Sequence, residues 1–150
     1  IKFIKTKTTT NELIKESIKN VSNICDLKNI KINVISKEEH PIYCDSNWQV
    51  EALTNIIKNS IEHSSYNSKI EITLDKTNLY KSITIKDFGS GISKKDLPHI
   101  FERFYKSENI NKEGVGIGLA LAKTILEREN GRIQIDTKEG EYTKFIIKYF

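Results

Sequence analysis

Lys81-Ser82-Ile83-Thr84-Ile85-Lys86-Asp87-Phe88-Gly89-Ser90-Gly91 sets an alternating strand directly against a glycine-rich turn. Ile83 and Ile85 share one face, so the strand is covered on one side. Asp87 stands where the strand ends. Gly89 and Gly91 let the backbone turn tightly and approach a flat ring. A carboxylate in that position can accept a hydrogen bond from an exocyclic amine such as that of adenine. An ordinary Asp-Gly-rich turn explains the stretch equally well when it is read alone.

Before this stretch, Ile70, Ile72 and Leu74 alternate in the same way, with Asn78 between the two runs, which predicts a hairpin. Further upstream, Val50, Leu53, Ile56, Ile57 and Ile61 recur at helical spacing behind a possible cap at Asp45 or Ser46. Asn55 and Asn59 stand four residues apart on that helix, and Glu62 and His63 extend their face by one turn. The plain reading is a solvated polar face. The functional reading is that Asn59 offers a neutral carbonyl oxygen to Mg²⁺, a hard cation that takes few protein ligands and keeps waters and phosphates.

Towards the N-terminus, Ile1 to Thr8 reads as a loose strand, and Thr9 with Glu12 has capping-box spacing. A first helix is expected to run to about Cys25. Ile30, Ile32 and Val34 form a strand, and Glu39 to Pro41 a turn. Downstream of Gly91, three aromatics fall within Ile100-Phe101-Glu102-Arg103-Phe104-Tyr105-Lys106, ahead of the polar stretch Ser107 to Glu113. An aromatic anchor followed by a polar loop suggests a hinged lid; a helix packing its rings into the core is the plainer alternative.

Gly114-Val115-Gly116-Ile117-Gly118-Leu119 then opens a third helix to Glu129. Free N–H groups and the positive dipole end at such a start bind phosphate. It is not a Walker A loop, since no Lys-Ser/Thr follows Gly118. It also lies too late in the chain for a dinucleotide fold. Gly131 is expected to cap that helix, and Ile133 to Ile135 and Phe145 to Tyr149 to form closing strands. The order predicts a two-layer α/β sandwich, with a mixed sheet of about five or more strands and three main helices on one face.

The chain has 150 residues, with 24 basic and 20 acidic side chains and a net charge of +4. This is the size of one domain, and residues 1–150 are read as a single unit. The lysines are interspersed with Glu and Asp and form no run, so the charge reads as a solvated surface rather than a nucleic-acid site. Cys25 and Cys44 form no CxxC pair and read as reduced, structural thiols. No stretch approaches the roughly 20 apolar residues of a membrane span. The chain lacks Met and begins at Ile1, and is therefore expected to be cut from a longer protein.

Taken in order, these motifs resemble the ATPase superfamily shared by histidine kinases, gyrases and MutL-type repair proteins. Asn55 to His63 looks like the N box of its histidine-kinase branch. Asp87 to Gly91 looks like the first glycine box, Phe101 to Lys106 the F box, and Gly114 to Leu119 the second glycine box. The resemblance spans essentially the whole chain and implies the Bergerat ATP-binding fold. It further implies Asn59 as the Mg²⁺ ligand, Asn55 lining the phosphates, and His63 touching the nucleotide. Asp87 would take the adenine amine, with Gly89, Gly91 and Ile92 shaping its pocket. Lys106 would offer charge to the γ-phosphate, where many relatives have Arg. Gly114, Val115, Gly116, Ile117, Gly118 and Leu119 would form the lid end and phosphate cradle, next to Phe104 and Tyr105.

Glu62 departs from the pattern, since many relatives carry Lys there; it is expected to point outward or pair with a lysine. Asn55 stands where the gyrase-like branch has a catalytic Glu. A carboxamide takes no proton, so transfer to an external acceptor fits better than hydrolysis. None of His40, His63 and His99 lies in a phosphoacceptor setting; His40 and His99 read as structural or surface residues.

The resemblance therefore implies phosphoryl transfer from Mg-ATP to a histidine on a dimerisation domain of the same parent. That parent would be a membrane-anchored homodimer with this domain in the cytoplasm, signalling to a response regulator; the fragment alone would be monomeric. Two alternatives stay open: a serine kinase of the anti-sigma-factor type, and a degenerate nucleotide-binding module that only engages a partner.

Overall fold

The computed structural model describes residues 2–105 and 118–150. The elements run β1 (Thr6–Thr9), α1 (Thr10–Asn20), α2 (Ser22–Lys28), β2 (Lys31–Ile35), β3 (Pro41–Cys44), α3 (Ser46–His63), β4 (Lys69–Lys76), β5 (Lys81–Asp87), α4 (Gly118–Arg128), β6 (Gly131–Lys138) and β7 (Tyr142–Tyr149). A 3-10 turn at Leu97–His99 lies between β5 and α4.

Five strands form one mixed sheet in the order β2-β4-β5-β7-β6. Only the β2–β4 pair is parallel. Inward-facing Ile70, Ile72, Ile83, Ile85, Phe145 and Ile147 are fully buried beneath the helices, with Leu53, Ile56 and Ile57 of α3 and Ile125 and Leu126 of α4. Each such side chain contributes about 1.5–3 kcal/mol through burial. This is the two-layer sandwich expected from the periodicity.

Both predicted helix starts are present as hydrogen bonds. Thr9 Oγ1 accepts from the Glu12 N–H at 3.0 Å, and Asp45 Oδ1 from the Trp48 N–H at 3.0 Å. Three local features differ from the sequence reading. First, the helix expected to end near Cys25 breaks at Val21 (φ −108°, ψ 6°) and resumes as α2. Asn20, Ser22 and Asn23 flank the break and have weak helix propensity, while Val21 is fully buried. Second, Pro41 is not in a turn but opens β3, which pairs antiparallel with β1 in a separate two-stranded ribbon. A strand start tolerates the missing proline N–H. Third, Asn130 (φ 63°), not Gly131, takes the left-handed position behind α4. Gly131 begins β6, and a Cβ there would lie 2.9 Å from the Leu126 carbonyl oxygen.

A buried polar chain ties the layers together away from the glycine motifs. Glu129 accepts from the Asp45 N–H and from Gln49 Nε2, and Gln49 Oε1 accepts from the Tyr149 hydroxyl at 2.9 Å. It fixes the start of α3 against the end of α4 and the end of β7.

Candidate functional site

Helix α3 buries Leu53, Ile56, Ile57 and Ile61 and turns Asn55, Asn59 and His63 to the opposite side at four-residue intervals. The end of this helix is held from outside. Lys28 Nζ, on α2, donates to the carbonyls of Ile61 at 3.0 Å and Ser64 at 2.9 Å. A cation on the last carbonyls of a helix satisfies acceptors that lack helical partners and complements the dipole.

The turn after β5 is wedged against that helix end. The Ser90 N–H donates to the His63 carbonyl at 3.2 Å, and His63 Nδ1 lies 3.3 Å from Ser90 Oγ. A Cβ on Gly89 would stand 1.8 Å from the His63 carbonyl oxygen. Gly91 has φ +68°, and a Cβ there would stand 2.3 Å from the Lys138 carbonyl oxygen. Both glycines of the first glycine box are therefore dictated by close backbone approach. On the far side the turn meets the β6–β7 connection, where the Gly140 N–H donates to the Ser90 carbonyl at 2.6 Å.

These elements enclose a cavity of about 220 Å³ lined by Asn59, His63, Gly91, Ile92, Tyr105 and Leu119, among others. All six are residues singled out in the sequence. The lining also includes Ser90, Ser93, Asp96, Ile100, Glu139 and Gly140, which the sequence reading did not assign. Gly140 had a visible signal as a glycine between two alternating runs. Asp96 had none: it is buried and accepts a hydrogen bond from the Tyr105 hydroxyl.

Two acceptors at this site are buried and lack a partner among the described residues: Asn59 Oδ1 and Asp87 Oδ2. An unmatched buried acceptor costs about 1–3 kcal/mol, so each marks a place for a donor or cation. Asp87 is fully buried and is not itself in the cavity lining; its Oδ1 accepts from the Gly89 N–H at 3.0 Å. Burial pushes its carboxyl up to about 6, while the Gly89 amide and the nearby Ser60 hydroxyl pull the other way. The Ser60 pull is weak, because Ser60 Oγ and Asp87 Oδ2 do not reach hydrogen-bond geometry. Asp87 pairs across the sheet with Thr143, also fully buried. Thr143 Oγ1 lies 3.0 Å from Thr137 Oγ1, which accepts from the Ile92 N–H. A hydroxyl residue at an inward position of β7 was the readable signal for this second row.

Burial lowers the His63 pKa, and Lys28 adds to this against the opposing pull of Asp96. A neutral imidazole therefore faces the cavity. Asn55 lies against the start of α4: a Cβ on Gly118 would meet Asn55 Cγ at 3.6 Å and Oδ1 at 3.8 Å. Glu62 is exposed and outside the cavity lining. Phe104, at φ 68° and 67% exposed, is not among the residues lining the cavity, while Phe101 is half-buried with Lys123 Nζ 5.2 Å over its ring. Lys106, Gly114, Val115, Gly116 and Ile117 lie outside the described residues, as does the expected lid from Lys106 to Glu113.

Residues 44–150 match the family of histidine kinase-, DNA gyrase B- and HSP90-like ATPases, and the chain belongs to that family. Membership of this ATPase family supports nucleotide binding by the chain. Among its relatives are a sensor histidine kinase and a heme sensor protein. It is 32% identical over 121 residues to the sensor histidine kinase YvrG of Bacillus subtilis, covering 79% of this chain and 21% of that protein. It is 33% identical over 141 residues to the heme sensor protein HssS of Staphylococcus saprophyticus, covering 93% of this chain and 30% of the relative. The chain thus spans less than a third of either protein. The solved catalytic domain of the histidine kinase ThkA superposes with a TM-score of 0.84 at 25% identity, over 99% of this chain and 95% of that one.

Proposed function

We propose that this chain is the ATP-binding catalytic domain of a two-component sensor histidine kinase. It would transfer the γ-phosphoryl group of ATP to a histidine on a separate dimerisation domain. The observation that carries this reading is the pairing of Asn59 Oδ1, buried and unpartnered, with Asn55, packed against the first residue of α4.

The donor set fits a magnesium ion. Asn59 offers one neutral oxygen, the nucleotide phosphates and waters supply the rest, and Mg²⁺ commonly takes only one or two protein ligands. When bound, the ion would neutralise charge developing on the phosphates. The protein's own part is positioning. Asp87 accepts from the adenine amine; Gly91 and Ile92 shape the ring pocket; His63, neutral and held by Ser90, flanks the nucleotide. Asn55 faces the start of α4, where backbone N–H groups receive phosphate oxygens. In the remainder of the motif, Gly114 to Ile117 would extend that cradle, and Lys106 would bring charge to the γ-phosphate. Asn55 cannot remove a proton from water, so the site favours an external acceptor over hydrolysis.

The parent protein is read as a membrane-anchored homodimer whose response regulator receives the phosphoryl group. Among the described residues no helix is long and apolar enough to cross a membrane. The test is incubation with radiolabelled ATP, with and without the histidine-bearing domain. An acid-labile label on that domain, and none on this chain alone, is the expected result. An acid-stable label on the partner would instead indicate the serine-kinase reading. Absence of any ATP binding would overturn the proposal and favour a degenerate module.

A further inference from the structure

The outer face of the five-stranded sheet, opposite the helices, contributes nothing to the lining of the cavity, and none of the described elements covers it. The registers place cations side by side on it. Lys31 pairs with Lys69, Lys86 with Lys144, and Arg132 with Lys148. Like charges directly opposite one another in a sheet destabilise it. Stability of the fold therefore gives no reason for three such pairs on one face.

Two of these pairs have a carboxylate beside them, and Lys69 Nζ lies 3.7 Å from Glu71 Oε2. Glu71 stands opposite Lys86, and Asp136 opposite Lys144 at 3.9 Å. The Arg132–Lys148 end, with Lys31 on the opposite edge strand, carries the excess. On the strands of this face, seven cations, including Lys138, stand against three carboxylates, Glu71, Asp136 and Asp75. Lys138 is drawn to Glu141 in the adjoining turn at 2.8 Å. Three charges of the chain's net +4 therefore reside here. The rest of the molecule is close to neutral. Between the charged rows runs a row of uncharged side chains, Thr73, Thr84, Ile146 and Gln134, across the sheet.

We infer that this face is a docking surface for an acidic protein partner. Three observations select that chemistry. The net charge calls for an anion. The aromatic rings near the face are already occupied by cations: Lys86 Nζ lies 4.7 Å over Phe88 and 5.1 Å over Tyr142, and Lys148 Nζ 4.8 Å over Tyr80. Those rings are not open for base stacking, which single-stranded nucleic acid uses. The interspersed carboxylates at fixed registers suit a partner with patterned charges, not a uniform polyanion or an anionic membrane. The surface stands apart from the nucleotide chemistry, although its Phe88–Tyr142 edge adjoins the first glycine box.

A short poly-glutamate peptide serves as the probe, followed by amide shifts of the isotope-labelled chain at low and moderate salt. Shifts should map to β5, β7 and β6 around Lys86, Lys144 and Lys148 and weaken with salt. Reversing two charges, Lys148→Glu with Arg132→Glu, should weaken binding by roughly tenfold or more, whereas Lys15→Glu on α1 should not. Unchanged ATP affinity in the double variant shows that it is folded. Should ATP affinity be lost, Lys148→Gln with Arg132→Gln is measured instead. Shifts elsewhere, equal loss in the Lys15 variant, or tighter binding of oligo-thymidine or phosphatidylserine vesicles than of poly-glutamate would overturn the proposal.

Discussion

The α-carbon of Gly89 packs so closely on the carbonyl of His63 that a methyl group there would stand 1.8 Å from the oxygen. The last turn of α3 and the glycine turn after β5 are thereby one rigid corner of the cavity. Gly89→Ala must push them apart. Expected is a loss of about 3 kcal/mol or more in stability, together with weakened ATP binding. Gly140 offers the contrast. Its φ is +83° but a Cβ there meets open space, so Gly140→Ala should cost only about 1–2 kcal/mol of backbone strain. Urea unfolding of both variants checks the order; equal losses would contradict it.

Asp87 makes nucleotide affinity depend on pH. Its carboxyl is raised from 3.8 to about 6 in the nucleotide-free fold, and the carboxylate is the stronger acceptor for the adenine amine. ADP affinity should fall as pH drops below about 6 and level off once the carboxyl is protonated. Asp87→Asn should weaken binding at neutral pH by roughly ten- to hundredfold and abolish that slope. Calorimetric titrations at several pH values measure both.

The same group gives a stability signature of opposite sign. The folded chain holds this proton more tightly than the unfolded chain does. The contribution is fully present below pH 3.8 and is lost as pH rises through about 6, a change on the order of 3 kcal/mol. Asp87→Asn, whose amide can donate to the unpartnered Ser60 hydroxyl, should stabilise the nucleotide-free chain at neutral pH. Thermal unfolding at neutral pH should therefore show a higher Tm for this weaker binder.

Asn59→Ala removes the buried side-chain oxygen assigned to the cation. ATP affinity in EDTA should change little, while the gain on adding Mg²⁺ should largely disappear. An unchanged magnesium effect would assign the ion to other ligands.

Lys28→Met tests the cap on α3. It leaves the Ile61 and Ser64 carbonyls without their side-chain donor. A loss of about 1–3 kcal/mol is expected, and His63 should titrate at higher pH, because Lys28 is one of the groups lowering it. The histidine ring signals followed against pH report this directly.

Sequence alone determined the elements whose residues speak for themselves. The two-residue period of Ile70–Leu74 and Ile83–Ile85 and the 3.6-residue period of α3 and α4 made sheet and helices legible, because burial on one face imposes those spacings. The caps Thr9 and Asp45 were legible because a side-chain oxygen must meet a free N–H within three residues. The stripe of Asn55, Asn59 and His63, and the glycines beside Asp87, marked the site for the same local reason. Only tertiary structure decided what depends on distant partners. The β1–β3 ribbon joins residues 32 to 38 apart in sequence through two four-residue strands, so the pairing left no signature even where Ile1 to Thr8 read as a loose strand. The break at Val21 follows from its burial rather than from any breaker residue. Glu139 and Gly140 reach the cavity because the β6–β7 turn folds back onto Ser90, and Thr143 stands beside Asp87 because β7 lies between β5 and β6. Strand order is set by how the whole apolar face is covered, and no single stretch of chain carries that information.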